Sequence, residues 1–372
     1  MTPRARRHVV VGAGTSGCVV AARLAQLAAE VTGPARPEVV LIEAGPDLRP
    51  GQEPAIDGPD PLAPSGLASR WWAGPTGPTG PNGPDGPAPR TLLRGRTVGG
   101  SSAVNGTVLA MVPKSDHDRW VAAGAVGWSW EACAPARARV LATVPRTRIP
   151  RSGWGPLPVA VSDALLDAGV PWRSSLDPDR PGVGSATLAR DPVSGRRWTA
   201  AERLEPVRGS LTLLTGTEVV DLLLDDRAVA VRGVRTADGA EIEADTVTLC
   251  AGAIGSPALL LRAGLADRFG TPGIGEGLQD HPSLVVTLPG LAGGPVICSR
   301  WQAPGVQVMP VAPDALLVAL MRPRSSGHLR LAPGSRTGPP TGPPTGPPTG
   351  PALLADPGLF TAPEDVRAMA AL

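Results

Sequence analysis

One stretch near the N-terminus constrains the architecture of this chain more than any other. Val9-Val10-Val11 is a run of β-branched residues with the pattern of a strand buried on both faces of a parallel sheet. It leads directly into Gly12-x-Gly14-x-x-Gly17. In such a turn the first glycine permits the tight bend and the second lets the backbone approach a pyrophosphate. The third allows the following helix to pack closely. The helix predicted from Ser16 to about Glu30 is rich in Ala, Leu and Val, and its free N–H groups would face the phosphates. Thr15 and Ser16 lie in that turn. A second strand, Glu38-Val39-Val40-Leu41-Ile42, ends in Glu43, where an acid holds a ribose hydroxyl pair, with Ala44 next to it. The gap from Gly17 to Glu43 exceeds the usual spacing of about 20 residues, and the loop Thr32 to Pro37 takes up the surplus. In a chain with 47 glycines a bare GxGxxG arises easily by chance. Here the strand before it, the helix after it and the acid beyond it are all in place. The turn alone leaves NAD and FAD both open.

Composition excludes several classes. The 372 residues carry a net charge of +2 with no long block of either sign, which argues against an electrostatic nucleic-acid surface. Cys18, Cys133, Cys250 and Cys298 are far apart, without disulfide or zinc spacing. Cys18 falls in the first turn of the predicted helix, where a thiol's pKa can be lowered, but packing is its expected role. No stretch is long and apolar enough for an integral membrane segment, and the short N-terminal apolar run is not a signal sequence. A cytoplasmic location is the expectation. The absence of Tyr, with nine Trp, two Phe and Lys114 as the single lysine, is read as codon bias and not as function.

Two low-complexity segments, 74–87 with glycine every third residue and 338–351 with a TGPP repeat, are expected to form surface loops. Between them, Leu211 to Leu214, Glu218 to Leu224, Ala228 to Val234 and Ala240 to Ile242 read as strands, the last three forming a small antiparallel sheet. Ala244 to Leu249 reads as a buried strand. A second helix is predicted from Ser256 as N-cap and Pro257 as first residue, beside the first phosphate turn.

A further segment, Arg94-Gly95-Arg96-Thr97-Val98-Gly99-Gly100-Ser101-Ser102-Ala103-Val104-Asn105-Gly106, carries the family resemblance together with VGAGTSGCVVAARL, LIEAGPD, LCAGAIGSPALLLRAGL and GIGEGLQDHP. On these motifs, in order from Val9 to about Leu331, the chain resembles the glucose–methanol–choline (GMC) oxidoreductases, FAD-dependent alcohol oxidases and dehydrogenases. The resemblance implies an α/β architecture, a Rossmann-like FAD-binding domain over 1–290 and a partial α+β substrate domain over 291–372. It implies FAD as cofactor, a small-molecule alcohol as substrate, oxidation of its CH–OH group by hydride transfer to the flavin, and an electron acceptor left open. Gly12, Gly14, Thr15, Ser16 and Gly17 would then hold the pyrophosphate, and Glu43 and Ala44 the adenosine ribose. Val98, Gly100, Ser101, Asn105 and Gly106 would lie along the phosphates and flavin ring. Val219 would meet adenine through its backbone, and Asp280 and His281 would lie close to the cofactor. The short connection after Trp130 and the run Arg322-Pro323-Arg324 resemble the mycofactocin-associated actinobacterial branch.

The chain also departs from the family. Leu109, Met111 and Ala263 replace an aromatic, a basic residue and a serine. Nothing matches the family's C-terminal catalytic histidine segment, so that segment is expected to be missing and no catalytic residue is named. His8 is placed before the first strand, His117 in a polar stretch and His328 in a solvent-facing turn. A non-catalytic flavin-binding remnant and an NAD-dependent Rossmann dehydrogenase are the alternatives.

Overall fold

The computed structural model describes residues 5–48, 52, 68–73, 90–174, 179–225, 230–266, 273–331 and 353–372. The two low-complexity segments, 74–87 and 338–351, lie outside the described residues, as do the first residues of the strand expected from Ala228. The architecture is α/β. Its centre is a four-stranded parallel sheet in the spatial order Thr246–Leu249, Arg7–Val11, Glu38–Ile42, Thr212–Leu214. Both faces of its centre are covered, which is why residues 9–11 and 39–42 on the two middle strands are continuous apolar runs. Val10 and Leu41 point into one core with Cys18, Ala21, Ala22 and Ala25, whereas Val9, Val11, Val40 and Ile42 point into the other with Leu222, Val234 and Leu259.

The helix Thr15–Ala29 turns Gly17, Cys18, Ala21, Ala22, Ala25 and Ala28 towards the sheet. Small side chains let it lie close, and Gly17 sets the limit. A Cβ there would stand 1.8 Å from the Gly12 carbonyl oxygen. The second core is closed by the antiparallel strands Val219–Leu224, Val231–Thr236 and Glu241–Glu243, as the alternating pattern predicts.

A separate five-stranded antiparallel sheet runs Ser283–Thr287, Ala315–Leu320, Val306–Ala312, Ser299–Ala303, Gly182–Ser185. Its last strand comes from more than a hundred residues earlier in the chain, pairing Arg300 with Gly184. A three-stranded sheet, Glu276–Leu278, Gly327–Leu331 and Leu353–Asp356, packs on the helix Gly252–Arg262 through Ile254, Ala258, Leu329 and Ala355. Among the described residues no helix is long and apolar enough to cross a membrane.

Three local expectations are corrected. The helix expected from Ser256 starts one turn earlier, with Ala251 as N-cap, and Pro257 lies inside it. Gly252, at φ +78° with open space about it, bends the chain into the helix straight after the strand. His8 lies within the first strand, its Nε2 2.8 Å from Thr248 Oγ1 on the neighbouring strand. His328 is in the strand Gly327–Leu331 and half-buried, because pairing with Asp356 orders that segment.

Candidate functional site

The two glycine segments of the sequence meet at the carboxyl end of the parallel sheet. Gly12 takes φ +94°, and a Cβ on it would sit 2.7 Å from the carbonyl oxygen of Cys250. Gly100 takes φ +54°, and its Cβ would stand 2.6 Å from the Gly14 Cα. The N–H of Gly99 donates to the Ala13 carbonyl at 2.8 Å, which fastens one segment to the other. Gly95 is pressed in turn against the Gly100 carbonyl, 2.3 Å from where its Cβ would be. Only glycine fits at these contacts, so the backbone itself forms the floor of the site.

Above this floor lies a crevice of about 320 Å³, within the range of about 300–1,000 Å³ common for small-molecule sites. Nine of the expected residues line it: Gly12, Gly14, Thr15, Ser16, Glu43, Ala44, Gly100, Ser101 and Val219. Strands from opposite sides of the first one place them there, at the switch point where open α/β sheets bind ligands. The others lie outside its lining. Gly17 packs beneath the turn. Val98 is buried in the core beside the first helix, with its N–H donated to the Pro46 carbonyl. Asn105 accepts Arg197 Nη1 on both its main-chain oxygen (2.6 Å) and its Oδ1 (3.1 Å), and Gly106 faces Ile297. Asp280 is bonded to Arg94, which does line the crevice, at 3.1 Å. His281 lines a different cavity.

Glu43 is 7% exposed. Its Oε2 accepts the Ala13 N–H and its Oε1 the Gly45 N–H, both at 2.9 Å. Burial pushes its pKa above the ordinary carboxylate value, against the opposing pull of those N–H groups and of Arg96. Each oxygen keeps acceptor capacity for a hydroxyl. Cys18, by contrast, is inert. Its Sγ donates to the Ala13 carbonyl, and burial raises its pKa to about 12 in spite of its place in the first helical turn.

Several lining residues were not singled out from sequence. Arg94, Gly95 and Arg96 belong to the second glycine segment, and Thr217 and Glu218 immediately precede Val219. Gly252 to Gly255 bring the N-terminus of the second helix to the crevice, and Arg262 lines it with its Nε sealed from solvent without a hydrogen-bond partner. Arg96 is paired with Glu218 at 3.3 Å. Two helix N-termini, three arginines and a glycine floor suit a dianionic pyrophosphate, and the buried acid suits a ribose.

The four histidines divide clearly. His8 is bonded to Thr248. His117 is 4% exposed, with Nδ1 2.7 Å from the Trp128 carbonyl and its ring edge-on to Trp120 and Trp130. Of the four, His281 alone lines one of the cavities described here.

Comparison with known proteins gives the same picture. The profile of the GMC oxidoreductases matches residues 7–283. The chain is 31% identical to 5-(hydroxymethyl)furfural oxidase of Methylovorus sp. (strain MP688) over 328 residues, covering 78% of this chain and 59% of that one. It is 32% identical to human mitochondrial choline dehydrogenase, covering 75% and 50%. The chain thus spans between half and two thirds of the length of these two relatives. Among solved structures, pyridoxine 4-oxidase from Mesorbium loti aligns with a TM-score of 0.73 at 26% identity, covering 98% of this chain and 79% of that one.

Proposed function

The chain belongs to the GMC oxidoreductase family, and we propose that it is an FAD-dependent oxidoreductase acting on the CH–OH group of a small alcohol. The observation that carries this reading is the contact of Gly100 on Gly14. It sets the second glycine segment directly on the phosphate turn, where a dinucleotide with a further ring system would run from one segment to the other. A nicotinamide-dependent dehydrogenase, the alternative left open by the first turn, has no use for that second segment.

When bound, the flavin supplies the acceptor for a hydride from the carbinol carbon. The chain's own part is to bind, orient and shield. Backbone N–H groups at Gly14, Thr15 and Ser16 would take the pyrophosphate. Gly12, whose own N–H is donated to the Ile42 carbonyl at 2.8 Å, would shape the turn beneath it, and Gly17 would let the helix approach. Glu43, with Ala44 beside it, would accept the ribose hydroxyls. The backbone at Val219 would meet the adenine, while Val98, Gly100, Ser101, Asn105 and Gly106 would run along the phosphates and the ring. Arg94 and its partner Asp280 would tie this region to His281 and the antiparallel sheet.

On this reading residues 1–290 form the FAD-binding unit, and two of its segments, Gly182–Ser185 and Ser283–Thr287, supply the two edge strands of the sheet of the unit over 291–372. The relatives named for 5-(hydroxymethyl)furfural, choline and pyridoxine support a small alcohol as substrate. The short connection after Trp130 and the Arg322-Pro323-Arg324 run support the mycofactocin-associated branch. The test is anaerobic bleaching of the bound flavin by a panel of small alcohols, followed by reoxidation with dyes. Bleaching by at least one alcohol is expected. Retained flavin that no alcohol reduces would leave a flavin-binding chain without turnover.

A further inference from the structure

The antiparallel sheet carries an arrangement that the nucleotide crevice does not explain. On the strand Ser299–Ala303, Arg300 and Gln302 are two residues apart and so share one face. Both are more than nine-tenths buried, at 5% and 3% exposure. Both line a cavity of about 210 Å³, together with Gln307 and His281. Arg300 also lines a second cavity of about 600 Å³, with Met111 common to the two.

Arg300 has almost nothing to compensate its charge. Its Nη1 reaches Gln307 Oε1 at 3.4 Å, a long contact, and its Nε has no partner. Gln302 Nε2 has none either. Among the described residues no carboxylate forms an ion pair with Arg300, and burial lowers its pKa with no acid opposing the shift. The surroundings reinforce the sign. Arg146 and Arg148 line the larger cavity and no acid does. The one acid lining the smaller cavity, Asp116, is already engaged by Arg119 at 2.5 Å and Arg322 at 3.0 Å. Buried charges in folded proteins are paired. One that is not, beside open volume, marks a place where the partner arrives with a ligand.

We propose that Arg300 and Gln302 form an oxyanion site in these cavities, and that the alcohol this chain takes carries a carboxylate which they hold. The arginine fork can donate to both oxygens of a carboxylate, and the amide adds a neutral donor. His281 lines this cavity, and its chain neighbour Asp280 is paired with Arg94, which lines the crevice, so the two hollows are neighbours through that step. The site rests on the preceding reading only in that its ligand is called a substrate.

The experiment is isothermal titration calorimetry on the full chain at pH 8, with benzoate as probe and benzamide as its uncharged counterpart. Benzoate should bind saturably and benzamide at least tenfold more weakly. Arg300→Met should fold, with a melting temperature no lower than the parent's because an uncompensated buried charge is gone, and should lose the preference for benzoate. Gln302→Leu should reduce it in part, and serves as the second variant if Arg300→Met fails to fold. Equal binding of the two probes, no binding of benzoate to the folded parent, or an unchanged preference in the folded variants would each overturn the site. Binding of inorganic phosphate where benzoate fails would overturn the carboxylate assignment. Flavin content measured on the same samples separates the two readings. Benzoate preference in a chain that takes up no flavin would count against the cofactor alone, and bound flavin without the preference against the anion site alone.

Discussion

The nucleotide crevice and the Arg300 cavity are both basic hollows beside a sheet, but they reach that state by opposite means. In the crevice the positive character comes largely from backbone N–H groups at two helix starts. Arg96 and Arg94 have the acids Glu218 and Asp280 as partners, and the half-buried Arg262 has Glu218 and Asp221 near enough to oppose the lowering of its pKa. Its shape depends on glycines that exclude side chains. In the cavity the charge centres on one buried guanidinium on a strand, Arg300, which among the described residues has no carboxylate paired to it, with Arg146 and Arg148 lining the larger hollow. A site of the first kind costs the fold little, because unpaired N–H groups at a helix start are present in any case. A site of the second kind keeps a desolvated charge in the folded state, so it is held against stability. The crevice should therefore fail by steric filling, and the cavity by neutralisation, with opposite effects on melting temperature.

The largest effect is expected where a side chain is forced onto the glycine floor. Gly100→Val places a Cβ against the Gly14 Cα at a positive φ, and flavin retention should fall by at least about 100-fold, or ~2.7 kcal/mol. Dialysis of the coloured protein reads this directly. Gly14→Leu is the milder form. Its Cβ meets only ordinary contact, 3.9 Å from the Gly100 Cα, so the chain should stay folded while the longer side chain blocks the phosphates.

Next comes Glu43→Gln, which keeps the shape but removes the charge proposed to receive the ribose. A loss of about 10- to 100-fold in FAD affinity follows from the ~1.5–3 kcal/mol of a charged hydrogen bond, measured by fluorescence titration of the apoprotein. Acidification should mimic it. Because burial raises the Glu43 pKa, protonation sets in above the ordinary carboxylate range, and flavin should start to leave as pH falls through that raised pKa. The same shift makes this group's contribution to stability greatest at low pH and lost as pH rises through the folded pKa. Release of flavin should thus precede any acid unfolding at this residue. Simultaneous loss of colour and of helix signal would contradict it.

The smallest effect belongs to the link between the two regions. Arg94 and Asp280 are each about two-fifths exposed, so Asp280→Asn should cost no more than about 1 kcal/mol in a thermal melt.

How far the sequence discloses each region follows from the same contrast. The strand Arg7–Val11 and the helix behind Gly14 are legible because one local pattern, a β-branched run followed by glycines and then alanines, dictates strand, turn and helix within a few tens of residues. The crevice residues Arg94, Gly95 and Arg96 stood inside a recognisable segment, but their role depends on Gly100 touching Gly14, a contact across some eighty residues. The helix beginning at Gly252 was misplaced because Pro257 looks like a first helical residue, whereas the positive φ of Gly252 had already started the helix. His328 reads as a turn residue because its ordering depends on pairing with Asp356, beyond a TGPP repeat whose pattern says nothing of strand pairing. Arg300 and Gln302 gave no signal at all. In sequence they flank a tryptophan in an unremarkable run, and only pairing with Gly182–Ser185 and Val306–Ala312 buries them.

The most direct test of the account is the cofactor content of the purified chain, from its visible spectrum and from the compound released on denaturation. The account predicts a flavin spectrum with close to one FAD released per chain, and none from Gly100→Val. A folded, colourless parent chain that takes up no added FAD would contradict it.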